Sequence, residues 1–279
     1  METTQPKYDP AEAARIVQHI MDDEFIVPEF ILLFGSLVGG TRHSDATAYD
    51  LLIAVRETPE FDWLQVKRRL RYRIPFQHRK ITYINLYILP LTYIESNNTP
   101  FLYFARSEGE LLYCSDRYSF RRPKHKPDFA KAYADAKFHF DTFRTLGFEL
   151  LEQANHELVE THNMRLAGMF AAQAVTYFYH TLYYVYHGME FDCNDPIVMH
   201  ERMRTLSTRL MLVYDDDHIR KLQTLASLKQ FLMKSPYDIK FDADPREVGE
   251  HIDRTMKAAE IMDSCCGLRL ELYKELSEA

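Results

Sequence analysis

The amino-acid sequence changes its pattern once, at a basic segment near the middle of the chain. Before Pro127 it consists of short apolar runs rich in β-forming residues, separated by glycine and polar turns. After Pro127, apolar residues recur every three or four positions over long stretches that contain little proline or glycine. We therefore predict an α+β domain with a mixed sheet and helices at residues 1–122, and an all-α antiparallel helical bundle at residues 127–279.

The patterns within each half predict individual helices and strands. The first helix is expected to run from Asp9 to about Asp22, because Asp9 can serve as an N-cap and Pro10 suits the first helical position. Apolar runs rich in β-formers predict buried strands at residues 30–34, 49–55 and 81–89, and a last strand is expected at residues 110–114. Helical periodicity predicts further helices at residues 61–74, 91–97, 128–160, 164–186, 197–214, 217–233 and 245–276.

Apolar content and cysteine spacing limit the class of protein. The sequence has no long uncharged apolar run, and its first twenty residues are polar and acidic, so we expect neither a transmembrane helix nor a signal peptide. These expectations place the protein in the cytoplasm, with no membrane partner. The cysteines show no spacing typical of a zinc site or a disulfide framework, and we expect them to be reduced: Cys114, Cys193, Cys265 and Cys266.

Charge is distributed unevenly along the chain. The residues up to Lys126 carry 17 basic and 16 acidic side chains, whereas the remainder carries 17 basic and 25 acidic ones. The segment at residues 67–80 has seven Lys or Arg in fourteen residues. Such a segment can bind phosphates, a nucleotide or RNA, but a solvated helix face is the favoured interpretation in an acidic protein. Nucleic acid is therefore not the expected partner, and segment 67–80 is where it would bind.

A glycine-serine turn between two apolar strands is the most informative motif. The segment FILLFGSLVGGTRHSDATAYDLLIAV contains a strand, the pair Gly35 and Ser36, a polar loop and a second strand bearing Asp50. Glycine allows the backbone to approach a phosphate closely, and a serine hydroxyl with nearby amides can bind a phosphate oxygen. A carboxylate at the start of the following strand can hold a Mg²⁺ ion that bridges nucleotide phosphates.

This segment resembles the nucleotidyltransferase superfamily of the minimal and kanamycin-nucleotidyltransferase type. The pattern of that family is an apolar strand, Gly-Ser, a polar loop and Asp-x-Asp on the next strand. The resemblance extends through PLTYIESNNTPFLYFARSEGELLYCSD, where such proteins carry a helix, an aromatic stretch and Gly-x-x-Leu-Tyr. It implies that Gly35, Ser36 and Gly40 bind the phosphates of a nucleoside triphosphate such as ATP, and that Asp50 binds Mg²⁺.

Two positions depart from the family pattern of acidic residues. Ala48 stands two residues before Asp50, where the family has its first acid, and the next strand offers Asn85 where the family has its third. Asparagine forms hydrogen bonds but lacks the negative charge that strengthens Mg²⁺ binding. Asp45 is the nearest substitute for the first acid, although its loop would have to curl back, and an ordinary turn role is favoured. Asp50 and Asp45 are the candidate catalytic residues, and Asp50 is the candidate metal ligand.

The helical half resembles HEPN domains. The segment AAQAVTYFYHTLYYVYHG matches the second helix of those domains at Gln173, Tyr179, His180 and Gly188. The segment FLMKSPYDIKFDADPREVGEHI resembles their loop and final helix, with Ser-Pro-Tyr at residues 235–237 in place of the usual arginine and tyrosine. A nucleotidyltransferase-like domain followed by an HEPN-like bundle is a pairing that itself strengthens the resemblance.

Some HEPN domains are ribonucleases that use an Arg-x4-6-His motif. Arg246 and His251 have this spacing, but it occurs three times in the sequence, which is about what its arginine and histidine content produces by chance. We interpret Arg246 and His251 as an exposed first-turn pair on the last helix. We therefore expect no ribonuclease activity that depends on His251.

Three functions remain open from the sequence. The favoured one is a regulatory or weakly active nucleotidyltransferase-like protein that binds a nucleotide through an incomplete acidic metal site. The alternative is an active enzyme that transfers AMP from ATP to a small molecule or a protein, in the manner of antitoxin-type relatives. The third is an HEPN ribonuclease or toxin. The expected partners are a nucleotide, an acceptor in the second case, and a second copy of the chain bound through the aromatic helical domain.

Overall fold

The computed structural model describes residues 8–24, 26–38, 48–56, 83–191, 193–214, 218–234, 238, 241 and 243–279. The chain forms two compact units, one ending at Pro127 and the other running from Asp128 to Ala279. A four-stranded mixed sheet lies in the first unit, and the second is mostly helical. The expected order of an α+β part followed by a helical part is confirmed. Several predicted features fall outside the described residues: the helix at 61–74, the basic segment 67–80, Gly40, Asp45 and the Ser-Pro-Tyr segment at 235–237.

Helix α1, Pro10–Met21, begins as its sequence predicts. The Asp9 side chain accepts a hydrogen bond from the backbone N–H of Ala11 at 2.9 Å, and Pro10 occupies the first turn, where its missing N–H costs nothing. The helix buries Ala13, Ile16 and Ile20. These side chains recur at intervals of three and four and so form one apolar stripe.

The sheet contains β1 (Pro28–Phe34), β2 (Ala48–Val55), β3 (Tyr83–Pro90) and β4 (Glu110–Cys114). Its strand order is β3-β2-β1-β4, with β2 parallel to β3 and the other two pairs antiparallel. Two short helices, α2 (Leu91–Ser96) and α3 (Pro100–Glu108), lie between β3 and β4. The register places Asp50 opposite Phe34 on one side and opposite Asn85 on the other. The three residues therefore lie side by side on one face of the sheet.

The two faces of the sheet pack differently. Alternate strand residues on one face join the stripe of α1 in a single apolar cluster, which includes Ile31, Leu33, Leu51 and Ile53. The opposite face carries rings from Phe34, Tyr87 and Phe101, whose centroids lie 5.1 to 5.5 Å apart. By the same alternation, Asp50 lies on this second face, beside the aromatic rings.

The second unit contains six helices in its described residues: α4 (Phe129–Val159), α5 (Met164–His187), α6 (Pro196–Met203), α7 (Thr208–Met211), α8 (His218–Met233) and α9 (Pro245–Glu278). Helix α5 contacts α4, α6, α8 and α9, and it carries the largest share of the buried side chains. Helix α5 ends at Gly188, whose φ of 65° is the left-handed conformation that closes many helices.

The predicted single helix at residues 197–214 is wrong. The chain there forms α6, a 3-10 turn at Arg204–Leu206, the short helix α7 and a second 3-10 turn at Leu212–Tyr214. Ser207 interrupts the helix with extended backbone angles, and its hydroxyl accepts a hydrogen bond from the N–H of Arg209 as an N-cap. Serine favours this arrangement because its short side chain competes with the helix for backbone groups.

Among the described residues, no helix is long and apolar enough to cross a membrane.

Candidate functional site

The candidate site is centred on a buried pair formed by Asp50 and Asn85. The two residues are direct partners in the parallel register of β2 and β3, and the Asn85 side-chain amide donates a hydrogen bond to Asp50 Oδ1 at 2.6 Å. Asp50 is 1% exposed and Asn85 is 5% exposed. The sequence predicted Asn85 at the place of an acid in a nucleotidyltransferase site. In the structure its amide lies directly against the carboxylate of Asp50, the one predicted acid that this sequence retains.

Gly35 lies over the other oxygen of the same carboxylate. Its φ is 83°, and a Cβ built on its backbone would lie 2.6 Å from Asp50 Oδ2. Glycine is therefore required here both for the left-handed backbone and for the space. The sequence predicted that this glycine allows close approach of a phosphate, and the structure shows that its backbone closely approaches Asp50. The Asp50 carboxylate consequently packs against the backbone of the turn and helps to fix its conformation.

Ser36 follows directly and begins a 3-10 turn, Ser36–Val38. The N–H of Val38 donates to the carbonyl of Gly35 at 3.3 Å, which holds this turn closed. Ser36 is half-buried and lies next to the residue that covers Asp50. The structure thus brings together Gly35, Ser36 and Asp50 at the junction of β1 and β2. Gly40 and Asp45, the other two candidates, belong to the loop outside the described residues.

Ala48 stands where the resemblance to nucleotidyltransferases predicts an acid. It is the first residue of β2, is fully buried, and lies on the same face as Asp50 because side chains alternate along a strand. The three described positions at which that resemblance predicts acids therefore hold a methyl group, a carboxylate and an amide. Within the ranges that the structure describes, no group of three or more His, Cys, Asp or Glu side chains is arranged to hold a metal ion.

The oxygen ligands near this turn determine how strongly a cation could bind there. Asp50 offers a carboxylate, and Asn85 could offer its amide oxygen after rotation of the side chain. Hard cations such as Mg²⁺ bind oxygen ligands, and the binding strengthens with ligand charge. One carboxylate and one amide supply a single negative charge. This donor set fits a weakly held Mg²⁺ ion and does not fit the paired ions of a full phosphoryl-transfer site.

The residues that resemble an HEPN helix have separate surroundings. Tyr179 is fully buried, and its hydroxyl lies 2.9 Å from His200 Nδ1, while burial raises the Tyr179 pKa well above its usual value. His180 Nε2 instead lies 2.9 Å from the side-chain oxygen of Asn194. Gly188 caps the helix. Tyr179 has the surroundings of a packing residue, and His180 contacts Asn194 in the segment that follows the helix.

His251 does not form an exposed pair with Arg246, so that prediction is wrong. His251 is 1% exposed, and its Nε2 lies 3.1 Å from the hydroxyl of Ser227. Burial, followed by the nearby charge of Arg254, lowers the His251 pKa to about 4. A neutral ring also means that its 3.9 Å approach to Glu247 is not an ion pair.

Helix geometry explains the difference between these two residues. Residues five positions apart on an α-helix point about 140° apart, because each residue turns the helix by about 100°. His251 belongs to a buried stripe with Val248, Ile252 and Thr255, whereas Arg246 is exposed. The Arg-x4-6-His spacing in α9 therefore does not create a common site.

Sequence reasoning missed a cavity in the first unit. Its volume is about 370 Å³, and it is lined by Glu95, Arg106, Tyr118, Ser119 and Arg121. The basic stretch after β4 was interpreted as a linker between the two domains. A signal was nevertheless present, because the residues at 117–126 include five Lys or Arg and no Asp or Glu.

No protein-family model and no curated protein matches this chain.

Proposed function

We propose that this protein has a nucleotidyltransferase-like domain, joined to an HEPN-like helical domain, that binds a nucleoside triphosphate but transfers its nucleotidyl group, with release of pyrophosphate, slowly or not at all. The observation that carries this proposal is the arrangement of Gly35 over the Asp50 carboxylate, with the Asn85 amide bound to that carboxylate at 2.6 Å. It combines a glycine-serine turn suited to a phosphate with a single carboxylate whose hydrogen-bond partner is an amide and not a second acid.

The charge of the site argues against rapid transfer. Efficient phosphoryl transfer uses metal ions that bridge the attacking and leaving oxygens, and several carboxylates are needed to hold those ions. Ala48 supplies no ligand and Asn85 supplies no charge. Because a single buried carboxylate would hold Mg²⁺ only weakly, the negative charge that develops in the transition state would be poorly neutralised, and a bound nucleotide would react slowly.

Within this proposal Asp50 is a positioning residue. It is buried beneath Gly35 and hydrogen-bonded by Asn85, so its first effect is to fix the backbone of the turn. A fixed turn presents the Ser36 hydroxyl and neighbouring amides without further loss of conformational freedom, which favours phosphate binding. The nucleotide phosphates would therefore contact the turn, and Mg²⁺ would add modestly to the affinity.

A ribonuclease function through Arg246 and His251 is not proposed. His251 is buried, is engaged with Ser227, and points away from Arg246. Burial keeps its ring neutral, and an inaccessible neutral ring cannot protonate a leaving group on RNA.

Isothermal titration calorimetry with ATP and GTP, each with and without Mg²⁺, tests the proposal. The native protein is expected to bind at least one nucleotide. Ser36→Ala should weaken that binding by about tenfold, the usual effect of losing a hydrogen bond to a charged group. Ser96→Ala is the matched control, because Ser96 is an exposed serine at the end of α2 in the same unit. Native protein that binds neither nucleotide at millimolar concentration would contradict the proposal.

A further inference from the structure

The cavity lined by Glu95, Arg106, Tyr118, Ser119 and Arg121 carries an excess of positive charge. Arg106 donates two hydrogen bonds, to the backbone carbonyls of Ile94 at 3.3 Å and Arg121 at 3.1 Å. In the described part of the chain, no carboxylate lies within ion-pair distance of the Arg106 or Arg121 guanidinium. Two cations therefore share one concave surface without direct neutralisation, and this arrangement attracts anions.

The Arg106 guanidinium is held in a fixed orientation. Its two backbone acceptors come from different segments, the end of α2 and the stretch after β4, and its Nε is buried with no hydrogen-bond partner among the described residues. A buried donor that lacks a partner is uncommon and costly. Each terminal nitrogen of this fixed guanidinium donates one hydrogen bond to a carbonyl and keeps a second N–H for a charged acceptor.

The segment after β4 is tied to the same wall of the cavity. The Arg122 guanidinium donates to the carbonyl of Ser107 in α3, and the Cys114 thiol contacts the carbonyl of Tyr118 at 3.2 Å. The Tyr118 ring stacks on Phe30 of β1 with centroids 5.5 Å apart. These contacts fix the cavity wall although the segment has no regular secondary structure. A cavity with fixed walls loses little conformational freedom on binding a ligand.

The remaining lining groups limit the organic part of the ligand. Glu95 lies close enough to the Tyr118 hydroxyl to accept a hydrogen bond from it, and Arg106 acts on the same phenol through its charge. A carboxylate in a cationic cavity repels a bare anion but accepts a hydrogen bond from a hydroxyl group. The cavity volume of about 370 Å³ lies in the range of small-molecule sites.

We propose that this cavity binds a small phosphate monoester that carries a hydroxyl group, with the phosphate on Arg106, Arg121 and Ser119 and the hydroxyl on Glu95. A phosphate monoester has a charge close to minus two near neutral pH, which matches two guanidinium groups better than a single carboxylate does. This site is separate from the turn at Gly35 and Ser36, and it does not rest on the proposed nucleotide binding.

Calorimetric titration of the full chain with glycerol phosphate in the absence of Mg²⁺ tests the proposal. Submillimolar binding is expected, and Arg121→Gln should weaken it by about tenfold or more, as expected for loss of a charged hydrogen bond. The Arg121 side chain is exposed and its carbonyl stays available to Arg106, so the variant should fold. Arg117→Gln is the matched control, because it removes an exposed arginine of the same segment that does not line the cavity.

Two further variants test the chemistry of the ligand and the location of its binding site. Glu95→Gln should strengthen binding of inorganic phosphate and reduce the preference for glycerol phosphate, because it removes a repulsive charge and weakens the hydroxyl acceptor. Ser36→Ala should leave glycerol phosphate binding unchanged. The proposal is overturned if the native protein does not bind glycerol phosphate, or if it binds malonate more tightly. It is also overturned if Arg117→Gln and Arg121→Gln weaken glycerol phosphate binding equally, or if Ser36→Ala abolishes that binding.

Discussion

The backbone of Gly35 lies directly over the carboxylate of Asp50, so that a methyl group at Gly35 would approach Asp50 Oδ2 to 2.6 Å. This contact joins the turn after β1 to the start of β2. It makes the conformation of the turn depend on the side chain beneath it. The dependence can be measured, because each residue can be changed with and without the other.

Gly35→Ala should lower the free energy of unfolding by about 2–4 kcal/mol, from the left-handed backbone and the collision together. In an Asp50→Ala background the collision is removed, and the same change should cost only about 1–2 kcal/mol. Urea unfolding of the four proteins in this double-mutant cycle measures the difference. Equal costs in both backgrounds would show that the two residues are not in contact.

Asn85→Asp should place a second carboxylate against Asp50 and destabilise the protein at neutral pH. Two buried carboxylates in contact cannot both ionise easily, so the pKa of the pair rises in the folded state. A raised folded-state pKa means that the stability deficit should be small near pH 4 and should grow as pH rises above the ordinary aspartate range. Urea unfolding from pH 4 to pH 8 measures it relative to native protein.

Mg²⁺ should recover part of the stability that Asn85→Asp loses, since a divalent cation neutralises paired carboxylates. The matched control is Asn98→Asp, which adds the same charge at an exposed position in the same unit. A deficit in Asn85→Asp that is independent of both pH and Mg²⁺ would mean that residues 50 and 85 do not share a charge site.

Two glycines in the helical unit should respond oppositely to alanine. A Cβ at Gly168 would lie 2.2 Å from Phe231 Cε1, and the Phe231 ring is buried between Phe241 and His251. Because that ring has little room to move, Gly168→Ala should cost about 1–3 kcal/mol. Gly267→Ala meets no described atom within 4 Å and should stabilise α9 by about 0.5–1 kcal/mol. Thermal and urea unfolding of both variants would reveal the opposite signs, and equal signs would contradict the packing.

Acid should destabilise the helical unit through His251. Its folded-state pKa is lowered to about 4 by burial and then by Arg254, so the unfolded chain binds a proton more readily. Stability is therefore complete above the unfolded pKa of about 6.5 and is lost as pH falls from there toward pH 4. His251→Gln should lose about 2 kcal/mol less than native protein between pH 7.5 and pH 5. His125→Gln reports the effect of removing an exposed histidine, and identical pH dependence of native and His251→Gln proteins would contradict the burial.

Local patterns predicted the types of most described elements. The pairing of Asp9 with Pro10 predicted the start of α1, and the helical periodicity after Pro127 predicted α4, α5, α8 and α9 closely. The segment at residues 197–214 was mispredicted because apolar spacing alone does not reveal that Ser207 adopts an N-cap conformation. Where a polar residue competes for backbone groups, its local hydrogen bond decides the structure.

The candidate site was less predictable, because it depends on register and long-range packing. The sequence placed Asp50 and Asn85 on successive strands, but only the parallel register of β2 and β3 brings their side chains to 2.6 Å. His251 could have been recognised as buried, because Val248 and Ile252 place it on an apolar stripe. The cavity at Arg106 joins α2, α3 and the basic stretch after β4, and the charge of that stretch marked only one of its walls.

The central claim, a phosphate-binding turn with an incomplete metal site, is tested most directly by calorimetric titration of native protein and the variant Ala48→Asp/Asn85→Asp. Each is titrated with MgATP and with ATP in EDTA. The native protein should bind the two forms with similar affinity, because a single carboxylate holds Mg²⁺ weakly. The variant should prefer MgATP by about tenfold or more, since it places carboxylates on both sides of Asp50. Equal binding of both forms by the variant, or a tenfold Mg²⁺ preference already present in the native protein, would contradict the account.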